Sequence, residues 1–244
     1  MKVLLIGDSC EDRYFYGDVK RLNPEAPVPI LEYKRGVTSK GMVWNVRENL
    51  RSFGVEVYTS THPEEIIKTR FIDEKSNQQI LRSDEEPEIT PISFEFPDEW
   101  KSTYDALVIS DYNKGFITQE KLFELSNWFQ GPVFIDTKKT CIPGNAFIKV
   151  NESEFKKITH FIPDNMIITK GGEGTEYQGK LYPAEKVNVF DVVGAGDTFL
   201  AALTYGYLKY GRIDKAIPLA NKAAAVAVSH RGTYVLTEED VKKL

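Results

Sequence analysis

Short apolar runs recur along the chain, and each is followed by polar or glycine-rich residues. The clearest runs lie at residues 3–6, 106–109, 133–135 and 166–168. Runs of this length, followed in most cases by a helical pattern, are typical of buried parallel strands that alternate with helices. The pattern predicts an α/β fold with a mainly parallel central sheet.

Four polar residues lie where these strands should end, namely Asp8, Asp111, Asp136 and Thr169. In open α/β sheets, ligands bind in the loops beyond the carboxyl ends of the strands. We therefore expect these four positions to border a ligand site.

Two segments interrupt the alternation, at residues 13–37 and 68–82. Both contain aromatic and β-branched residues with turn signals, but little helical periodicity. They predict antiparallel strands of a small second sheet, and extended surface loops are the alternative. Because the sequence contains no repeats, linkers or low-complexity tracts, we predict one domain over residues 1–244.

Two alanine-rich segments near the end of the sequence, residues 197–210 and 213–228, are apolar on one face and predict closely packed helices. Pro218 lies inside the second segment, where it should kink the helix or shift its start.

Composition narrows the functional classes. The 244 residues are 41% hydrophobic and 27% charged with a net charge of -5, which fits a folded globular chain and excludes broad attraction to nucleic acid. The two cysteines, Cys10 and Cys141, form no disulfide framework or zinc motif, and they suit a reducing cytoplasm. The opening apolar run is too short for a signal peptide or a membrane span, so we predict a cytoplasmic protein without membrane contact.

The segment VNVFDVVGAGDTFLAAL at residues 187–203 predicts a strand, a glycine turn and a helix. Gly194 and Gly196 allow the backbone to turn its N–H groups toward an anion, and the helix start adds the positive end of its dipole. A carboxylate at that start is stabilised in its charged form. Asp197 is therefore a candidate base for phosphoryl transfer.

Three alternatives exist for this turn. Asp197 is the kind of residue that also serves as a simple helix cap. A dinucleotide-binding G-x-G-x-x-G motif lacks its third glycine here, and a Walker A loop lacks its Lys-Ser/Thr pair.

The GAGDTF turn closely resembles the signature of the PfkB sugar kinase family. The resemblance extends over nearly the whole chain through the ordered segments IGDSCEDRYFYG, RLNPEAPVPI, NVRENLRSFG, RFIDEKSNQQILRSD, SDYNKG and NESEF. Within that family these segments are most similar to heptose 7-phosphate kinase domains of bifunctional kinase–adenylyltransferases. The resemblance implies a ribokinase-like three-layer sandwich with a small β lid.

The resemblance also implies an ATP- and magnesium-dependent phosphotransferase with an alcohol acceptor. Gly194, Ala195 and Gly196 then form the anion hole for the phosphoryl group, and Asp197 activates the acceptor hydroxyl. The leading acceptor is D-glycero-D-manno-heptose 7-phosphate, phosphorylated at O1. Ribose, fructose or a nucleoside are the other acceptors that the family offers.

The family's nucleotide side corresponds to one group of positions in this chain. By resemblance these are Asn151, Glu154, Thr169, Gly171, Gly174 and Asn221. Glu154 is expected to support Mg²⁺ indirectly, and Asp191 is a candidate for a monovalent cation such as K⁺. The alternatives are an ordinary helix start for Asn151 and Glu154, and a buried or capping role for Asn221.

The resemblance also implies which residues bind the acceptor. The expected residues are Asp8, Asp12, Gly41, Asn45, Arg70 (or Arg82), Lys114 and Lys138. Carboxylates accept paired hydrogen bonds from sugar hydroxyls, and basic groups pair with a substrate phosphate. The alternatives are capping for the two aspartates and a solvated surface for the basic residues. The β lid is expected to cover the sugar and to pair two subunits into a homodimer.

Three features depart from the family pattern. Met42 stands where the second glycine of the sugar-binding loop is usual, so a bulky side chain lies where backbone should approach the sugar. Between Gly54 and Arg70 the chain lacks a strand and one or two helices. No adenylyltransferase segment follows Leu244, so that activity is expected in another protein. The rival hypothesis is a nucleotide- or sugar-binding protein of the same fold without catalysis.

Overall fold

A computed structural model of the chain describes residues 1–93, 95–159 and 163–244. These residues form two compact units. The first contains residues 1–8, 42–62 and 89–244, and the second contains residues 9–41 and 63–88. The predicted segments 13–37 and 68–82 both lie within the second unit.

Strands and helices are numbered in chain order. The strands are β1 Lys2–Gly7, β2 Ser9–Leu22, β3 Pro29–Met42, β4 Glu56–Ser60, β5 Ile67–Asp73, β6 Gln78–Glu85, β7 Ala106–Asp111, β8 Val133–Thr137, β9 Phe147–Asn151, β10 Met166–Thr169, β11 Thr175–Tyr177 and β12 Lys180–Tyr182. The helices are α1 Val43–Ser52, α2 Trp100–Thr103, α3 Gln119–Trp128, α4 Glu152–Phe155, α5 Ala195–Tyr210, α6 Ile213–Val228 and α7 Glu238–Lys243.

The first unit contains an eight-stranded sheet in the order β12-β11-β10-β9-β8-β7-β1-β4. Every pairing from β4 to β10 is parallel, and the pairings of β10 with β11 and of β11 with β12 are antiparallel. The four predicted runs lie in β1, β7, β8 and β10. The predicted α/β class with a mainly parallel sheet is therefore confirmed.

The strand registers bring the predicted polar residues to one edge of this sheet. Gly7, which precedes Asp8, pairs with Ser110, and Asp111 pairs with Thr137. Further along the same sheet, Thr169 at the end of β10 pairs with Asn151 at the end of β9. Because these strands are parallel, their carboxyl ends meet at the same edge, as the expected ligand site requires.

The second unit is a four-stranded sheet in the order β3-β2-β5-β6. The small second sheet is confirmed, but one pairing differs from the expected antiparallel arrangement. β5 and β6 are antiparallel, whereas β2 and β5 are parallel. The reason is that β4 lies between the two strands in the sequence, so β5 follows a crossover rather than a hairpin.

The long helices α5 and α6 pack closely in the core of the first unit. Their contact depends on small residues, because a side chain at Gly206 would lie 3.0 Å from Ala216. Helix α6 starts at Ile213 as predicted, and Pro218 lies in its interior without shifting that start. None of the helices in the described ranges combines the length and apolar character needed to cross a membrane.

Candidate active site

The glycine turn begins with Gly194 in the left-handed conformation, with φ 77° and ψ -3°. Glycine adopts this conformation without steric cost, and it allows α5 to start at Ala195. The predicted start at Asp197 was two residues too late for this reason. Ala195 and Gly196 therefore belong to the first helical turn, whose N–H groups lie at the positive end of the dipole.

A cavity of about 420 Å³ adjoins the turn and is lined there by Ala195 and Gly196. Four positions expected on the nucleotide side line the same cavity, namely Thr169, Gly171, Gly174 and Asn221. Apolar side chains complete much of the wall, among them Val187, Val192 and Phe199. A largely apolar pocket with a helix start at one end suits a ligand with a flat base and an anionic group.

Two of these residues also build the cavity wall. Gly174 has φ 110°, and any side chain there would overlap the backbone of residues 182–184. Asn221 is buried, accepts a hydrogen bond from the Thr175 hydroxyl at 2.6 Å and donates one to the Tyr182 carbonyl at 2.9 Å. Its amide group thus fixes the wall, in agreement with the alternative of a buried structural asparagine.

Asp197 follows the turn and is only 2% exposed. The Tyr112 hydroxyl donates to its Oδ1 at 2.8 Å, and the Asn45 amide donates to its Oδ2 at 3.1 Å and to the Gly194 carbonyl at 3.2 Å. Burial raises the pKa of Asp197 to about 6, although the bonds from Tyr112 and Asn45 oppose the rise. At neutral pH the carboxylate is therefore mostly ionised, with a proton affinity close to that of an effective general base.

The turn has two different sides. Its backbone at Ala195 and Gly196 lines the cavity, whereas the Asp197 carboxylate contacts Tyr112 and Asn45 instead. A buried carboxylate and a backbone that lines the cavity thus occupy consecutive residues of one helix start. This arrangement is compatible with the transfer of a phosphoryl group to an alcohol.

Asp8 lies at the end of β1 and is fully buried. Its Oδ2 accepts the Tyr112 N–H at 2.7 Å and the Lys114 N–H at 3.2 Å, while its buried Oδ1 has no hydrogen-bond partner within the described residues. Burial raises the pKa of Asp8, and the two backbone bonds oppose that rise. An acceptor oxygen of this kind fits a hydroxyl donor from a ligand.

Met42 keeps a glycine-like backbone, with φ 57° and ψ -126°, and its side chain is 4% exposed. It is the N-cap of α1, and the next N–H, that of Val43, donates to the Asp8 carbonyl at 3.0 Å. A non-glycine residue in this conformation carries strain of roughly 1–3 kcal/mol. The departure from the family pattern thus changes the side chain but retains the backbone turn beside Asp8.

Asn151 and Glu154 form a capping box at the start of α4. The Asn151 side chain accepts the Glu154 N–H at 2.9 Å, and Glu154 Oε2 accepts the Asn151 N–H at 2.8 Å. The remaining oxygen of Glu154 pairs with Lys138. Burial would raise the pKa of Glu154, but the bonds from Asn151 and Lys138 outweigh it and the net pKa is lowered. The contacts of Asn151 and Glu154 are therefore those of an ordinary helix start, the alternative given for these two residues.

In the second unit, Arg70 donates to Asp12 Oδ1 at 2.6 Å and both side chains are buried. A side chain at Gly41 would overlap Asp12 and Cys10. The structure therefore brings these three predicted acceptor residues together, with the arginine already paired to a carboxylate.

Asp191, the candidate for a monovalent cation, links two loops of the first unit. Its Oδ1 accepts the Val193 N–H at 3.0 Å and its Oδ2 accepts the Gly232 N–H at 2.9 Å. Across residues 1–93, 95–159 and 163–244, no group of three His, Cys, Asp or Glu side chains is placed to hold a metal ion.

Two residues with contacts at the site were missed by the sequence reasoning. Tyr112 was overlooked although it lies in the quoted SDYNKG segment directly after β7. Lys149 lies in β9 and forms a buried ion pair with Asp136 at 2.6 Å. A lysine flanked by the apolar residues of the strand FIKVN is the signal that could have indicated it.

Residues 122–240 match the profile described as pfkB family carbohydrate kinase. This part of the chain, slightly less than half of its 244 residues, is similar to the pfkB family. The match includes the glycine turn, Asp197 and every expected nucleotide-side position, so the predicted resemblance is confirmed. This match favours a phosphotransferase that uses an alcohol group as acceptor.

Curated relatives that match this chain include two called bifunctional protein HldE. The protein from Nitratiruptor sp. is 29% identical over 297 residues, covering 99% of this chain and 64% of the relative. The protein from Campylobacter jejuni is 30% identical over 295 residues, with the same coverage of 99% and 64%. The chain thus spans slightly less than two thirds of these relatives. Both alignments exceed its 244 residues, which agrees with the expected internal shortening.

Solved structures with the same fold include ribokinase from Thermotoga maritima, with a TM-score of 0.70, 16% identity and coverage of 99% of this chain and 98% of that one. Arabidopsis thaliana ribokinase complexed with ribose and ATP has a TM-score of 0.69, 15% identity and coverage of 99% and 97%. Escherichia coli phosphofructokinase-2 in complex with potassium has a TM-score of 0.70, 16% identity and coverage of 99% and 96%. The predicted ribokinase-like fold is therefore confirmed.

Proposed function

We propose that the protein is an ATP-dependent kinase that phosphorylates a hydroxyl group of a sugar or sugar phosphate. One observation carries the proposal: a carboxylate with a pKa of about 6 directly follows a glycine turn whose backbone lines a cavity of about 420 Å³. The pfkB-family match over residues 122–240 supports the same reaction class.

The reaction follows from the two sides of the turn. The acceptor oxygen forms a bond to the γ-phosphorus, the bond from that phosphorus to the bridging oxygen of ADP breaks, and the acceptor proton passes to Asp197. The N–H groups at the start of α5 and the helix dipole stabilise the charge on the transferred group. Asn45 and Tyr112 orient the carboxylate through the bonds described above.

The nucleotide occupies the cavity in this proposal. Gly171, Gly174 and Thr169 border it, and Asn221 holds its wall. Glu154 would support Mg²⁺ indirectly, because magnesium retains water and prefers oxygen ligands such as those of the nucleotide phosphates. A K⁺ site near Asp191 is supported by the potassium in the related phosphofructokinase-2 structure.

The leading acceptor is D-glycero-D-manno-heptose 7-phosphate, phosphorylated at O1. This choice is supported by the resemblance of the six quoted segments and by the relatives called bifunctional protein HldE. Asp8 binds a sugar hydroxyl through its unpartnered buried oxygen. The candidate contacts for the 7-phosphate are Lys114, Lys138 and Arg70. Lys138 pairs with Glu154, and Arg70 pairs with Asp12.

Two further expectations belong to this proposal. The second sheet acts as a lid over the sugar and pairs two subunits through a strand edge, since β3 and β6 lie at the ends of its strand order. The protein acts in the cytoplasm on small molecules.

The test measures ADP released from Mg-ATP with a panel of acceptors: heptose 7-phosphate, ribose, fructose, fructose 6-phosphate and nucleosides. We expect acceptor-dependent turnover, highest with the heptose phosphate. Asp197→Asn should lower it by roughly 100- to 10,000-fold, the usual contribution of a general base.

Asp214→Asn is the matched control, because Asp214 also lies in the first turn of a long helix but pairs with Arg212 at the surface. It should retain wild-type turnover. Saturable ATP or sugar binding with no acceptor-dependent ADP release from the wild type would instead establish the rival binding protein. Equal turnover of wild type and Asp197→Asn would refute the role of Asp197.

A further inference from the structure

A buried ion pair lies directly beneath the glycine turn. Asp136 on β8 and Lys149 on β9 are register neighbours, and their side chains are 9% and 6% exposed with an Nζ–Oδ2 distance of 2.6 Å. Charges buried this deeply lose much hydration free energy, so such pairs are weak sources of stability. Their position in the site therefore merits a functional explanation.

The ammonium group of Lys149 lies against the backbone of Gly196. A side chain at Gly196 would lie 2.8 Å from Lys149 Nζ and 3.8 Å from Asp136 Oδ2. Gly196 lines the cavity, whereas Lys149 is not among the lining residues in the part of the chain that the structure describes. Lys149 thus contacts the glycine turn, and the turn rather than the lysine borders the cavity.

The pair also lies within electrostatic range of Asp197. The groups facing Asp197 come from four elements: Asn45 on α1, Tyr112 after β7, Asp136 on β8 and Lys149 on β9. Burial is the main cause of the raised pKa of Asp197; the charge of Asp136 adds to the rise and the charge of Lys149 opposes it. For Lys149 itself, burial would lower the pKa, but Asp136 outweighs it, so the lysine remains charged.

We propose that Lys149 is a positioning residue of the phosphoryl-transfer site, anchored by Asp136, which supports the glycine turn at Gly196 and supplies the positive charge facing Asp197. The inference rests on the proposed kinase function, because it assigns Lys149 a role in that reaction. It explains why a lysine lies inside a buried strand beside Gly196. Asp136 holds the ammonium group in place and counterbalances its charge.

The decisive measurement is the titration of Asp197, followed by NMR in protein with ¹³C-labelled aspartate carboxyl groups and assigned with Asp197→Asn. Lys149→Met should raise the pKa of Asp197 by about 1, the lower end for loss of a nearby opposite charge. Asp136→Asn should lower it, because it removes a nearby negative charge. Lys149→Arg should keep it near the wild-type value.

The opposite directions separate this role from a structural one. Loss of packing alone would change stability in both variants without moving the titration of Asp197 in opposite senses. The double variant Asp136→Asn/Lys149→Met leaves no unpaired buried charge, so it tests the idea if a single variant fails to fold, and its Asp197 should titrate near the wild-type value. Lys121→Met, which removes an ion-paired lysine on α3, is the control and should leave the titration unchanged.

Kinetics provide the second readout. If Lys149 acts through Asp197, the acidic limb of kcat against pH should move to higher pH in Lys149→Met and to lower pH in Asp136→Asn. An unchanged Asp197 titration in Lys149→Met, or shifts of the same sign in both variants, would overturn the inference. A wild type without acceptor-dependent turnover would refute the kinase proposal, and the NMR titration would still decide whether the pair sets the charge of Asp197.

Discussion

The helix starts at residues 151–154 and 194–197 place an acidic residue at the same helical position, the third residue of the helix, but use it differently. Glu154 bonds back to the N–H of its own cap residue, Asn151. Asp197 follows a glycine cap that offers no side chain, and its carboxylate bonds to Tyr112 and Asn45 from other elements.

The difference appears in the proton affinities of the two carboxyl groups. Burial acts on both, but the bonds from Asn151 and Lys138 lower the net pKa of Glu154, whereas burial dominates at Asp197 and raises its pKa to about 6. A helix start with a capping side chain retains its acidic residue for local structure. A glycine start leaves that residue available for chemistry with a neighbouring group.

The pH dependence of turnover gives the largest expected effect. Asp197 must be ionised to accept a proton, so kcat/KM should fall about tenfold per pH unit below about pH 6. Tyr112→Phe removes a hydrogen bond that favours the ionised form, so it should raise the pKa of Asp197 and move the acidic limb to higher pH.

The acidic limb can be assigned to Asp197 by measuring kcat/KM from about pH 5 to about pH 8 for the wild type and for Tyr112→Phe. Glu154→Gln is the matched control: whatever its effect on rate, the position of the limb should not change, because the lowered pKa of Glu154 lies outside this range. A limb that moves with Glu154 and not with Tyr112 would reverse the assignment.

The glycine cap should be costly to replace. Gly194 and Gly179 both have positive φ, 77° and 73°, so alanine at either position should cost roughly 1–2 kcal/mol of unfolding free energy. Alanine at Gly194 should cost more, because its Cβ would lie 2.6 Å from Asn45 Nδ2, whereas the space around Gly179 is open. Urea unfolding gives the free energy of unfolding of both alanine variants, and the difference between their losses measures the clash with Asn45. Equal losses would show that this clash adds no strain.

The smallest effect concerns the capping box. Asn151→Ala should lower the unfolding free energy by about 1 kcal/mol, the usual value of a lost N-cap. Thr237→Ala removes the cap of the second capping box, at α7, and should cost a similar amount. If denaturant unfolding shows a loss at Thr237 but none at Asn151, the box at α4 contributes little to folding and the contrast with the glycine start weakens.

Much of the first unit was predictable because its signals are local. The apolar runs of β1, β7, β8 and β10 are continuous, and the bounds of α6 agree with the predicted residues 213–228. Strands β11 and β12 have three residues each, too few for a visible period, and the lysine inside β9 hides its apolar character.

Nonlocal features were harder to predict. The parallel pairing of β2 with β5 joins residues 56 positions apart, such as Glu11 and Ile67, and no local pattern specifies its direction. The bond between Tyr112 and Asp197 likewise depends on the packing of a loop against a helix start far along the chain. Turn chemistry indicated Asp197, but only the folded chain shows what surrounds its carboxylate.

The hydrogen bonds of Asn221 affect the entropy of nucleotide binding. Its amide joins α6 to Thr175 and to the Tyr182 carbonyl, so one wall of the cavity is fixed before any ligand arrives. A receptor that is already ordered loses little conformational entropy on association. Asn221→Ala should therefore weaken nucleotide affinity mainly through a less favourable binding entropy, which titration calorimetry can separate from any change in enthalpy.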